Sequence, residues 1–141
     1  MIRTTREDTM IRQNTVVGLA LAAALAMTGT AHAETDAAKE VSTAAQHAGF
    51  ANKASDMKAV QMHLQHVVNC LVGPNGQGFD TKQANPCKDQ GSGAIPDTTD
   101  AAQKKRLSDA LAKVNSGLKQ TDVAAAQKDA ADAQALLSSQ M

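Results

Sequence analysis

An all-α fold, a four-helix bundle built from two antiparallel helical hairpins, is what the chain predicts, on three observations. Its only aromatic residues are Phe50 and Phe79. The core must then come from Ala, Leu, Val and Met, which suits closely packed helices and does not suit a sheet. Four segments repeat apolar residues at intervals of three and four, the spacing of one helix face. Between the second and third of them, residues 73–96 hold all three prolines and five of the nine glycines. That stretch reads as an irregular loop joining the hairpins.

The N-terminus reads as a secretory signal. Arg12 supplies positive charge, Val16 to Met27 is apolar, and Ala31-His32-Ala33 is an A-x-A cleavage site. Residues 1–33 are therefore expected to be removed, and because Met10-Ile11-Arg12 repeats Met1-Ile2-Arg3, Met10 is the expected start. The apolar run is too short to span a bilayer, and no cysteine at the cleavage site offers a lipid anchor. The mature chain, 34–141, is expected to be a single helical domain in the periplasm or outside the cell, free of the membrane. Its charge is near −1 once Arg3, Arg6, Arg12, Glu7 and Asp8 leave a chain of 14 basic and 14 acidic residues. That balance is no footprint for nucleic acid or an anionic membrane.

The first helix is expected from Thr35 to Phe50, with Ala37, Val41, Ala44, Ala45 and Ala48 on one face and Gly49 as its stop. Ser55 or Asp56 caps the second, which carries the seam Val60, Leu64, Val67 and Leu71 and ends at Val72-Gly73-Pro74. A third helix starts near Asp97-Thr98-Thr99, carries the seam Leu107, Leu111, Val114 and Leu118, and stops at Gly117. Thr121-Asp122 caps a fourth, with Val123, Ala126, Ala130, Ala133 and Leu137 inward. From the caps onward an offset of 66 aligns the second and fourth seams, and Gly49-Phe50 parallels Gly117-Leu118. The chain thus carries an internal repeat.

A thin, alanine-rich core of this size needs a staple. Export favours a disulfide between Cys70 and Cys87, the only cysteines. The alternative is a free thiolate at Cys70, acting as ligand or nucleophile.

Chemistry concentrates on the second helix. His63 and His66, at i and i+3, can bite one ion, with His47, Met62 or an acidic residue on a neighbouring helix as a further ligand. Met62 points away from the seam, and imidazole with thioether suits copper ahead of zinc or nickel. If the first turn centres near residue 52, His47 lies opposite residue 58, more than a helical turn from His63. The rival reading is that the histidines are polar, hydrogen-bonded side chains on the helix flank. A c-type haem is excluded because C-x-x-C-H is absent, and a b-type haem would need a His/Met or His/His pair across the bundle. The loop carries no P-loop, since Gly73-x-x-x-x-Gly78 is followed by Phe79-Asp80, and Asp80, Asn85 and Asp89 lack EF-hand spacing. Neither G-x-S-x-G nor His-Glu-x-x-His is present, so no enzyme is read here.

With His47-Ala48, His63-Leu64-Gln65-His66 and the paired hairpins in view, the chain resembles the small periplasmic metal-binding helical proteins. The resemblance covers residues 37–71 and 107–138. It implies an alanine-rich four-helix bundle that binds copper or another divalent ion, in storage, transport or stress tolerance. The chain departs from that pattern in its few histidines, which limit it to one or two ions, and in its stapled loop. The competing expectation is a metal-free interaction or stress protein that uses loop 73–96 as a partner-binding surface.

Overall fold

The computed structural model describes residues 35–139, so the expected signal and its cleavage point lie outside the described residues. Those residues form five helices and no strand: α1 Ala37–Lys53, α2 Met57–Val72, α3 Ala94–Asp97, α4 Ala101–Gly117 and α5 Val123–Ser138. None is long and apolar enough to cross a membrane. The four long helices open on the same device, an aspartate whose carboxylate accepts an N–H of the first turn. Asp36 receives Lys39, Asp56 receives Ala59, Asp100 receives Gln103 and Asp122 receives Ala125, at 2.7–2.9 Å.

Three expectations need correction. Gly49 does not stop the first helix, which runs on to Lys53. Gly49 is a site of close approach: a Cβ there would stand 2.7 Å from Gln134 Nε2 of α5. The reversal falls instead at Ala54–Asp56, with Ala54 extended and its carbonyl taken by Gln127 at 2.7 Å. Second, the loop is not irregular to its end. Ala94–Asp97 turn once as α3, which tolerates Pro96 because a first-turn N–H has no helical partner. Thr98 closes it by donating its hydroxyl to the Ala94 carbonyl at 2.7 Å. The next helix therefore starts at Ala101, not near Asp97. Third, α4 buries Leu107, Ala110, Val114 and Gly117, while Leu111 and Leu118 are only partly buried. Gly117 keeps helical geometry and lets Leu64 come close, its Cδ1 standing 2.8 Å from where a Cβ would be.

α1 packs on α2 and on α5, α4 packs on α5, and α2 meets α4 less extensively. The core register repeats with an offset of 66 through both helix pairs. Val41, Ala44, Ala48 and Ala51 of α1 match Leu107, Ala110, Val114 and Gly117 of α4, and all eight are buried. Val60, Leu64, Val67 and Leu71 of α2 match Ala126, Ala130, Ala133 and Leu137 of α5, again all buried. This register pairs Ala51 with Gly117, not Gly49.

Cys70 and Cys87 are bonded, with Cα atoms 5.2 Å apart and both sulfurs buried. Closing a 17-residue separation contributes about 3 kcal/mol on the chain-entropy account, and such a bond belongs to an oxidising compartment. The staple wraps the loop around the end of α2, where every residue from His66 to Val72 is buried. Asn69 ties the loop a second time. Its amide donates to the Asp80 and Ala84 carbonyls, both at 3.1 Å, and its carbonyl receives the Asp80 N–H at 3.0 Å. Gly73 ends α2 at φ 68°, a region favouring glycine, with its N–H on the Asn69 carbonyl at 3.0 Å.

Candidate metal centre

The later turn between α1 and α2 decides what His47 faces. Moved from residue 52 to about residue 55, the reversal sets position 47 opposite position 63, within one turn of position 66. The extra turn of α1 beyond Gly49 therefore overturns the register that separated His47 from the other histidines. His47 Nδ1 lies 3.2 Å from His63 Nδ1 and 3.3 Å from His66 Nδ1. The three rings stand mutually 5.0–5.7 Å apart between centroids. Among the described residues this is the one group of three or more His, Cys, Asp or Glu placed to hold a metal ion.

Burial within the group differs from what helix 2 alone predicts. His66, about 130° round the helix from the centre of the seam at 100° per residue, is nonetheless buried, whereas His63 is only partly covered. The reason is α1, which packs over that flank. Phe50, one turn from His47, flanks the exposed side, its ring 5.4 Å from the rings of both His47 and His63. Phe50 itself is 44% exposed.

Electrostatics keep the imidazoles uncharged. Burial pushes His47 down to about 4, helped by the neighbouring His66 and His63. Burial lowers His63, and burial together with His63 lowers His66. Each ring then keeps a lone pair for a ligand at neutral pH. Hydrogen bonding does not account for the packing equally well. A neutral imidazole nitrogen either donates once or accepts once, yet His47 Nδ1 is within reach of two other Nδ1 atoms. A cation accepting all three lone pairs satisfies every one of them. For metal–nitrogen bonds of about 2.05 Å, a tetrahedral site has nitrogens about 3.3 Å apart, close to the two separations seen.

Met62 is half-exposed and lines a separate depression with Lys58, Gln61, Gln65, Asp80, Gln83 and Leu118, which none of the histidines lines. Cys70 is committed to its disulfide, and no free cysteine is found among the described residues. Sequence reasoning passed over Phe50, although its i+3 spacing from His47 and the rarity of aromatics both mark it. The cluster could hold a metal ion.

No family model matches the chain, and no curated protein or solved structure matches it.

Proposed function

We propose that this is a periplasmic protein that binds one transition-metal ion at His47, His63 and His66, copper before zinc or nickel, for storage, transport or stress tolerance. The observation that carries the reading is the triad itself: three uncharged imidazoles from two helices, with His47 Nδ1 3.2 Å from His63 Nδ1 and 3.3 Å from His66 Nδ1 and all three rings within reach of one ion. Imidazole is a good ligand for all three metals, and the general affinity order puts copper(II) highest. A single cluster supports one ion and not bulk buffering. Export is supported by the N-terminal signal pattern together with the buried disulfide. We read the four long helices as a bundle of two antiparallel hairpins, the first of which holds the ion, and assign the protein no catalytic role.

Calorimetric titration of the oxidised protein with copper(II), zinc and nickel tests the reading. One ion per chain is expected, with His47→Ala, His63→Ala and His66→Ala each lowering affinity by roughly a hundredfold or more, beyond the loss typical of an outer-shell partner. Unchanged affinity in a protein lacking His63 and His66 would refute it.

A second reading has its own observation. The stapled loop borders a cleft of about 810 Å³ between Val72, Gly76, Ile95, Pro96 and the α4 side chains Leu111 and Asn115, a size that accommodates ligands. If the titration is silent, that cleft becomes the favoured binding surface of a metal-free interaction protein.

A further inference from the structure

Three imidazoles fill three of the four positions of a tetrahedral ion, and a site with three protein ligands leaves the last for an outside molecule. Among the described residues, no fourth His, Cys, Asp or Glu joins the group to take it. The side chains one turn from the ligands toward the core, Ala44 and Ala51 beside His47 and Val60 and Val67 beside His63, carry no donor atom and are buried. Met62, the nearest thioether in sequence, lines a different depression.

One side of the cluster is open. His63 forms part of the wall of a surface hollow of about 560 Å³, shared with Phe50, Lys53, Ala54, Ser55 and Ala59. Its lining includes the basic residue Lys53 and no acidic residue. Asp56, next to it in sequence, turns its carboxylate onto the Ala59 N–H. Three neutral ligands leave the full charge of a divalent ion uncompensated, and such an ion is the largest local charge in its site.

Resting on the metal-binding reading, we propose that an ion held by His47, His63 and His66 directs its fourth coordination position into the Phe50–His63 hollow and takes a small exogenous anion there. The anion is a single-donor monoanion, such as hydroxide, halide, azide or a short carboxylate. Phe50 limits its size, and Lys53 adds attraction at the rim.

Cobalt(II) and sodium azide are the probes, with the oxidised protein followed by visible absorbance. Cobalt bound by the triad is expected to show the intense bands of a four-coordinate ion, and azide to shift them in a saturable one-to-one titration. Lys53→Glu, which removes no ligand, is expected to weaken azide roughly two- to fivefold, the scale of an exposed charge interaction, with cobalt stoichiometry unchanged. Met62→Leu is expected to change neither titration. A histidine-dependent cobalt spectrum that azide does not move would overturn the open position while leaving metal binding intact. So would a cobalt spectrum altered by Met62→Leu, because sulfur would then occupy the fourth position. No histidine-dependent spectrum at all would overturn both readings.

Discussion

Glu40 is the residue whose chemistry is most at odds with its surroundings. It is 1% exposed, its Oε1 accepts the Gly93 N–H at 2.9 Å, and its Oε2 has no partner. Burial raises its pKa from the ordinary 4.5 to about 7, against the lowering pull of the Gly93 N–H and with further help from the Asp97 and Asp36 carboxylates. Between those two values the folded chain holds a proton that the unfolded chain has released. The contribution to stability is therefore full below 4.5 and is lost as pH rises through 7, by about 3 kcal/mol at most at about 1.4 kcal/mol per pH unit. Glu40→Gln keeps the shape and removes the titration. Denaturant midpoints at pH 5 and pH 8 should differ less for the variant than for the parent; equal differences would clear Glu40 as the source.

At the scale of elements, the loop behaves as a wrapped extension of α2, held by Cys87 and by Asn69. Asn69→Ala strips partners from the Asp80 N–H and from the Asp80 and Ala84 carbonyls together. Unmade buried hydrogen bonds cost about 1–3 kcal/mol apiece, and water reaching the loaded loop offsets part of that. A loss of about 2–4 kcal/mol is expected in urea unfolding, with hydrogen exchange rising first at Asp80. Exchange unchanged there would mean that Asn69 does not hold the loop. Elements also mark what the sequence made legible. Caps at Asp56 and Asp122 and the seams of α2 and α5 follow from short-range rules, and so were readable. The single turn of α3 is too short to show a period. Gly49 reads as a helix stop locally and as a close contact only when α5 is in place. That one misreading moved the turn by three residues and hid His47 from His63. Glu40 and Asp97, 57 positions apart in the chain, are neighbours through tertiary packing, which no window of sequence displays.

Across the whole molecule, the 66-residue register gives the histidine cluster a counterpart. Positions 47, 63 and 66 correspond to Lys113, Asp129 and Asp132. There Lys113 and Lys128 both reach Asp132, at 3.1 and 2.9 Å, and Gln120 donates to Asp129 at 3.0 Å. Imidazoles between α1 and α2 are thus matched by an ionic network between α4 and α5. If backbone register is what brings the histidines together, Lys113→His combined with Asp129→His and Asp132→His should create a second site. A stoichiometry of two ions per chain by equilibrium dialysis is the expected outcome. One ion per chain would show that the convergence of His47, His63 and His66 depends on details peculiar to the first helix pair, Phe50 among them.

The period also speaks to ancestry. Matching burial at eight pairs of positions, the corresponding caps Asp56 and Asp122, and paired helices of equal length are the pattern that copying and fusing one helical segment would leave. On that account the two copies have since divided their labour. The first half carries the imidazoles, and the second carries salt bridges at the matching positions.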